Sequence, residues 1–263
     1  MRSFDAGVSY DTCIVVNRTS DKKIALGSQF NSLKVLYRHN VGMNIGAWNH
    51  GWRSCIGYEN VLFLQDDCYI AKDGWLQTIN EKLSCAEIGL IGEAANTGWD
   101  IPWSELRVRE ANLGLPEHTL DGKSANRVDV YLDFLSRNEI LSGDTGYHMR
   151  SLVWASKTTT LKKIGGFPQG RNYGECVAAE IAVTKQIQEL GLKVENVSGS
   201  DFSYIRHLEW NQDYPGGPFS KNPVVAHQLD KLRKENARLT EQLESRRKPV
   251  SKFVKRLVRQ TES

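Results

Sequence analysis

Two consecutive acidic residues that follow an apolar segment are the first candidates for chemistry. The segment Asn60–Leu64 (NVLFL) predicts a buried β-strand, and Gln65, Asp66 and Asp67 come directly after it. Carboxylates at the end of a strand are suitable ligands for a hard divalent cation. The alternative interpretation is that the two acids only begin a solvated turn. The elements around them decide between these two interpretations.

Those elements alternate between strands and helices, and this order predicts an α/β domain with a mainly parallel sheet. Ligands of such sheets bind at the carboxyl ends of the strands, where Asp66 and Asp67 lie. We interpret residues 94–146 as a long connection with short helices. Strands are predicted at Asp11–Asn17, Leu33–Tyr37, Asn60–Leu64, Ile88–Ile91, Ser151–Ala155, Leu192–Val197 and Phe202–His207, and helices at Gly46–Cys55, Asp73–Cys85, Thr159–Ile164 and Glu175–Leu190.

Three groups of segments, which together cover most of residues 11–197, resemble the inverting glycosyltransferases of family 2. This resemblance implies a GT-A fold, which is Rossmann-like, and a nucleotide sugar as the donor substrate. The matching segments are CIVVNRTSD (13–21) followed by NVGMNIGAWNHG (40–51), VLFLQDDC (61–68), and TLKKIGGF (160–167) followed by AEIAVTKQIQELGLKV (179–194).

The resemblance also assigns roles to single residues. Asp67 is the preferred metal ligand, with Asp66 second and His207 as a further ligand, and the cofactor is Mn²⁺ or Mg²⁺. Gln65 stands where the family's motif usually begins with an acid. A general base is expected near the start of the helix after the GGF turn, with Glu180 as the first candidate and Glu175 as the second. The alternative is that both are surface glutamates of an amphipathic helix.

The nucleotide sugar is expected to contact Asp66 and four residues near the first two predicted strands, which are Asn17, Asn40, Gly42 and Asn49. Asp144 is a weaker candidate for a sugar contact. Four tryptophans could stack on sugars, although burial in the core is the alternative explanation for Trp99, Trp103, Trp154 and Trp210. The family's first strand and most of its first helix have no counterpart, so a degenerate binding module is the alternative to an enzyme. A nucleotidyltransferase would need a glycine-rich phosphate loop after the first strand, and the sequence has none there.

Charge divides the chain into a nearly neutral part and a basic end. The net charge is +3 over 263 residues, and residues 224–263 hold eleven Lys or Arg and five Asp or Glu, a net of +6. The rest of the chain lacks the excess of positive charge that is typical of proteins that bind polyanions, so no nucleic-acid partner is expected. Five cysteines without a CxxC pair and an N-terminus without an apolar segment indicate a cytoplasmic protein with reduced thiols.

The C-terminal end predicts two further segments after a domain at residues 1–220. In residues 221–247, an a/d pattern predicts a coiled coil and a parallel homodimer, although a helix packed on the domain is the alternative. In residues 248–263, an apolar face flanked by Lys and Arg predicts peripheral contact with an anionic membrane surface, and a lipid-linked or glycan acceptor would suit it. A disordered basic tail is the alternative. The a/d positions are Val225, Leu229, Leu232, Asn236, Leu239 and Leu243.

Overall fold

The computed structural model describes residues 4–18, 33–55, 57–111 and 118–208, together with Trp210. The chain divides into two compact units, Met1–His207 and Leu208–Ser263. The predicted domain boundary at residue 220 lies outside the described residues. The predicted coiled coil (221–247) and basic tail (248–263), with the dimer and membrane contact inferred from them, lie outside the described residues.

The described residues form a mixed α/β unit, which confirms the predicted class. Its strands are β1 Cys13–Arg18, β2 Lys34–His39, β3 Asn60–Leu64, β4 Cys68–Ile70, β5 Ile88–Gly92, β6 Thr119–Leu120, β7 Lys123–Ser124, β8 Val153–Lys157, β9 Lys193–Asn196 and β10 Ile205–His207. Its helices are α1 Met43–Trp52, α2 Trp75–Ser84, α3 Trp103–Arg109, α4 Arg127–Arg137, α5 Thr158–Lys163 and α6 Tyr173–Glu189, with a 3-10 turn at Thr97–Trp99.

The largest sheet is mixed rather than mainly parallel, which corrects the prediction. Its strand order is β3-β8-β5-β9, where β8 runs antiparallel to both β3 and β5, and β5 and β9 are parallel. After β5 the chain stays at the carboxyl edge of this strand, because Ala95 pairs with Met149 and Pro102 pairs with Thr145. Strand β8 therefore enters the sheet from that edge and runs in the opposite direction.

Three two-stranded sheets complete the described strands: parallel β1-β2, antiparallel β4-β10 and antiparallel β6-β7. The direction of β8 brings its start to the edge at which β3 and β5 end. The backbone amide of Gln65 donates a hydrogen bond to the Leu152 carbonyl (3.3 Å), and the backbone amide of Arg150 donates to the Ala94 carbonyl (3.0 Å). Residues from three strands thus meet at one edge of the sheet.

Helix α4 lies inside the segment that the sequence indicated as a connection with short helices. The Asn126 side chain accepts a hydrogen bond from the Val128 amide (2.9 Å), which caps the N-terminus of this helix. The apolar side of α4 packs in the same buried cluster as α6 and includes Val128, Val130, Tyr131, Phe134 and Leu135. The segment between β5 and β8 therefore contributes to the core.

Two of the four tryptophans considered as sugar platforms serve packing. Trp154 is fully buried, with its ring centroid 5.3 Å from that of Trp48. Trp99 is also buried, and its centroid lies 5.6 Å from that of Tyr131. Trp103 donates from Nε1 to the Gly143 carbonyl (3.1 Å), and Trp210 belongs to the second unit. Trp99 and Trp154 are therefore core residues, because their rings are covered by other side chains.

Among the described helices, none is long and apolar enough to cross a membrane. The five cysteines are free thiols, and burial raises the pKa of Cys68 to about 12 and that of Cys176 to about 11.

Candidate active site

The first pair of candidate residues meets through the two-stranded sheet β4-β10. In this sheet His207 is opposite Cys68, so it lies beside Asp67, the residue that precedes β4. The distance between Oδ1 of Asp67 and Nε2 of His207 is 2.8 Å, and His207 is buried. The structure thus brings together two predicted metal ligands that are far apart in the sequence.

Glu93 holds the segment that leads into β10. Its carboxylate, at the end of the fully buried strand β5, accepts hydrogen bonds from the amides of Ser203 (2.8 Å), Tyr204 (3.1 Å) and Ile205 (2.8 Å). Burial raises the pKa of Glu93, and these three hydrogen bonds oppose that shift. Glu93 was not among the predicted site residues. The signal for it was an acid directly after the apolar strand IGLIG.

Gln65 connects His207 to the start of β8. Its Nε2 donates to the Ser151 carbonyl (2.6 Å), and its Oε1 is 3.1 Å from Nε2 of His207. Because the Ser151 carbonyl can only accept, this contact sets the orientation of the Gln65 side-chain amide. The Oε1 atom then faces His207, whose Nε2–H donates the hydrogen bond.

Ser151 joins this group to Glu180 on α6. The Ser151 amide donates to Oε2 of Glu180 (3.1 Å), while Nδ2 of Asn44 donates to the carbonyl (2.7 Å) and the Oγ (2.9 Å) of Ser151. A continuous chain of short contacts therefore runs from Asp67 through His207, Gln65 and Ser151 to Glu180. Neither Asn44 nor Ser151 was singled out from the sequence.

The environment of Glu180 suits a group that exchanges a proton near neutral pH. Its side chain is 20% exposed, and this partial burial raises its pKa to about 7, against the lowering effect of the Ser151 hydrogen bonds and the charge of Arg150. Nε2 of His148 lies 3.9 Å from Oε2 of Glu180. Burial lowers the pKa of His148 to about 4, so this ring is neutral at pH 7 and gives Glu180 no cationic partner.

Glu175, the other candidate base, has a different role. Its Oε1 accepts from Nη2 of Arg137 (2.7 Å), and its Oε2 accepts from the Arg171 amide (2.7 Å). Its own amide donates to the Asn172 side chain (2.9 Å), which caps α6. The carboxylate therefore closes the N-terminus of α6 and does not join the group around Ser151.

Asn17 and Gly42, both predicted to contact the nucleotide, lie at the carboxyl ends of the parallel strands β1 and β2. Oδ1 of Asn17 accepts from Nη1 of Arg38 (2.7 Å), and Nδ2 donates to the Met43 carbonyl (2.9 Å). Nη2 of Arg38 donates to the Val41 carbonyl (2.7 Å). Gly42 is buried at φ 74°, and a Cβ there would lie 3.2 Å from Cβ of Gln169. Arg38, which the sequence reasoning missed, organises the loop before α1.

Other predicted contacts lie apart from that loop or are simply exposed. Asn49 is buried, and its Oδ1 accepts from Nε1 of Trp52 (3.1 Å) and from the Phe167 amide (3.0 Å). We therefore reassign Asn49 to packing, because it holds the GGF turn against α1. The side chains of Asn40, Asp66 and Asp144 are exposed.

The predicted metal ligands Asp67 and His207 lie side by side, but they form only part of a cation site. Within the described ranges, no three His, Cys, Asp or Glu side chains form a group that could hold a metal ion. Mg²⁺, however, is commonly bound by one or two protein ligands together with phosphate oxygens and water. Oδ1 of Asp67 is buried and accepts no hydrogen bond from this part of the chain, although Nε2 of His207 is 2.8 Å away. Two adjacent octahedral ligands lie about 3.0 Å apart, so this distance suits a shared cation, whereas the hydrogen bond from Nε2 of His207 to Gln65 would have to be given up.

No protein-family model matches the chain, and a search of curated proteins finds no match either. The assignment of a function therefore depends on the site itself.

Proposed function

We propose that the chain is a metal-dependent, inverting glycosyltransferase of the GT-A type, which transfers a sugar from a nucleotide-sugar donor to a hydroxyl of a glycan or lipid-linked acceptor. The observation that carries this proposal is the convergence of Asp67, His207 and Glu180 at one sheet edge, connected through Gln65 and Ser151. The group combines ligands for a hard cation with a carboxylate that can accept a proton.

The donor diphosphate would lie between the α1 loop and the Asp67–His207 pair. Arg38 supplies a positive charge on one side, and the N-terminus of α1 supplies a favourable dipole for anions. Asn44, in the first turn of α1, contacts Ser151 and so connects this loop with the sheet edge. A divalent cation held by Asp67 and His207, with Asp66 as a further ligand, would neutralise the charge that develops on the leaving diphosphate.

Glu180 would accept the proton of the acceptor hydroxyl. With a pKa of about 7, its carboxyl group is ionised in part near neutral pH. The acceptor oxygen forms a bond to the anomeric carbon while the bond from this carbon to the diphosphate oxygen breaks, which inverts the configuration. The proton passes to Glu180, and the electron pair of the broken bond leaves with the nucleotide.

The test is a thermal-shift panel of UDP, dTDP, GDP and CMP with and without Mn²⁺. A nucleotide at about 100 times its Kd stabilises a protein by about 2.7 kcal/mol, which corresponds to a Tm increase of roughly 5–10 °C for a domain of this size. We expect one nucleotide to give a metal-dependent increase of this kind. The substitution Asp67→Asn, which keeps the shape of the side chain, should abolish the metal-dependent part.

The matched control is Asp121→Asn, because Asp121 is exposed in the turn between β6 and β7, away from the group around Ser151. This variant should respond to nucleotide and Mn²⁺ as the unmodified chain does. A metal-dependent shift that persists in Asp67→Asn would remove Asp67 from the proposed site.

One observation favours the alternative of a degenerate binding module without catalysis. Gln65 accepts the Nε2–H of His207, so in this arrangement the nitrogen offers no lone pair to a cation. Metal binding through Nε2 then requires the ring to change tautomer and to give up the contact with Gln65. Nucleotide stabilisation that is independent of Mn²⁺, together with no sugar transfer, is the result that this alternative predicts.

A further inference from the structure

Ser151 lies beside the Glu180 carboxylate and is the more deeply buried of the two residues. Ser151 is only 2% exposed, whereas the side chain of Glu180 is 20% exposed. The Ser151 amide donates to Oε2 of Glu180 (3.1 Å), and the Ser151 hydroxyl also donates to this carboxylate. A substrate that reaches the exposed part of Glu180 therefore does not reach Ser151, so an effect of Ser151 on the reaction has to act through Glu180.

Asn44 determines the direction in which the Ser151 hydroxyl donates its proton. Nδ2 of Asn44 donates to the carbonyl oxygen (2.7 Å) and to the Oγ (2.9 Å) of Ser151. Because a carbonyl can only accept, the side-chain amide of Asn44 has to present its N–H groups at this position. The Ser151 Oγ thus accepts from Asn44, and its own proton needs another acceptor. The Glu180 carboxylate is that acceptor.

The backbone of Ser151 is held from two other elements. Its carbonyl accepts from Nδ2 of Asn44 on α1 (2.7 Å) and from Nε2 of Gln65 at the end of β3 (2.6 Å). Donors that are fixed in this way keep their direction and need no rearrangement when charge is present on their acceptor. Both donors of Ser151 therefore stay directed at Glu180.

Other groups near Glu180 have different effects on it. Nδ1 of His148 is 2.8 Å from a backbone carbonyl, so the neutral ring carries its proton there, and Nε2, which is 3.9 Å from Oε2 of Glu180, has none to donate. Arg150, which precedes β8, favours the ionised carboxylate through its charge. Two further groups face Glu180 from α4 and α6 and are neutral near pH 7, because burial raises the pKa values of Tyr131 and Cys176.

We propose that Ser151 is the positioning residue of the base: its amide and its hydroxyl, which Asn44 directs, hold the Glu180 carboxylate in one orientation and stabilise its negative charge. That Glu180 is the base rests on the proposed function, whereas the contacts with Ser151 do not. Without these hydrogen bonds, burial would raise the pKa of Glu180 above about 7. The carboxyl group would then be mostly protonated at neutral pH and unable to accept a proton from an acceptor hydroxyl.

The test is an NMR titration of the full chain carrying isotope-labelled glutamate, in which the signal that is missing from Glu180→Gln identifies Glu180. Ser151→Ala keeps the backbone amide and removes only the hydroxyl. We expect the pKa of Glu180 to be higher by about 0.5–1 in this variant, because a hydrogen bond to the ionised form is lost. In Asn44→Ala the hydroxyl is present but not directed, so the pKa should rise by a smaller amount.

The matched control is Ser156→Ala, since Ser156 is also buried and lies on β8, but its hydroxyl donates to the Gly89 carbonyl (2.6 Å). This variant loses a buried hydrogen bond as well and should leave the pKa of Glu180 unchanged. An unchanged pKa in Ser151→Ala, or an equal rise in Ser156→Ala, would overturn the proposal.

Sugar transfer, which is measured separately, distinguishes this proposal from the proposed function. In an active enzyme, the pH below which kcat falls should be higher for Ser151→Ala than for the unmodified chain, by the same amount as the pKa of Glu180. A higher pKa in Ser151→Ala without transfer from any donor supports the contact and rejects Glu180 as a base. Transfer together with an unchanged pKa in this variant keeps the enzyme and rejects the role of Ser151.

Discussion

At the scale of single residues, the surroundings of a side chain decide its role more than its type does. Glu175 and Glu180 lie on the same helix, five positions apart, and therefore point about 140° away from each other. Glu175 contacts Arg137 and a backbone amide and so has a structural partner, whereas Glu180 has neutral His148 nearby and a raised pKa. The proton-accepting role that we propose follows from this difference.

Glu180→Gln should reduce sugar transfer by about 10²–10⁴-fold, the usual contribution of a general base. It should also change the pH dependence of stability. The folded pKa of Glu180, about 7, lies above the ordinary 4.5, so the unfolded chain releases this proton first as the pH rises. The free energy of unfolding of the unmodified chain therefore decreases from about pH 4.5 to 7 because of this group.

Glutamine cannot ionise, so the variant lacks this decrease and should gain stability relative to the unmodified chain between pH 5 and pH 8. The gain reaches about 3 kcal/mol once the pH is above the folded pKa. Urea denaturation at a series of pH values measures it, with Glu105→Gln as the control, because Glu105 is exposed on α3. A stability difference that does not vary with pH would contradict the assigned pKa shift.

At the scale of elements, the start of α1 shows how tightly the loop before it is packed. Gly42 and Met43 both have positive φ angles, 74° and 48°. Gly46 lies so close to this loop that a Cβ there would be 2.0 Å from the Val41 carbonyl oxygen and 3.0 Å from Arg38. The glycines of this segment are therefore required by close approach of the backbone.

Gly46→Ala should destabilise the chain by about 1–3 kcal/mol, because the added methyl group overlaps a backbone oxygen that cannot turn away. It should also weaken nucleotide binding, since Arg38 and the loop would shift together. Thermal unfolding measures the first effect and the nucleotide panel the second. In the control Gly98→Ala, the nearest atom to the new Cβ is 3.8 Å away, so equal Tm values for the two variants would argue against this packing.

At the scale of the whole molecule, the candidate site belongs to the first unit, which ends at His207. What lies beyond the described residues rests on the sequence alone. We propose that residues 221–247 form a parallel homodimer and that residues 248–263 contact an anionic membrane surface from the cytoplasmic side.

A chain that ends at residue 220 should be monomeric in sedimentation-velocity experiments, whereas the full chain should be dimeric at micromolar concentration. The pattern covers only about three heptads, so dissociation on dilution is expected. Leu232→Asp and Leu239→Asp each place a charge at an a or d position of the predicted coiled coil, so the full chain carrying either substitution should be monomeric. A full chain that stays monomeric would indicate instead that this helix packs on the domain.

Much of the secondary structure and part of the site were determined by the sequence alone. A short apolar run predicted β3 at its observed bounds. The spacing of apolar residues predicted α2, and the glycine at 191 marked the end of α6, both to within two residues of the observed bounds. The acids after β3 were also apparent, because a strand end is a local feature. These patterns can be predicted because they depend only on residues that are close together in the sequence.

Only the tertiary structure decided how those segments meet. The direction of β8, the contact between Asp67 and His207, and the burial of Asn49 all depend on residues that are distant in the sequence. The same is true of Glu180, whose pKa reflects the desolvation that packing around α6 imposes. Periodicity carries no information on strand direction or on long-range partners, since these follow from the topology that buries the most apolar surface while satisfying the backbone.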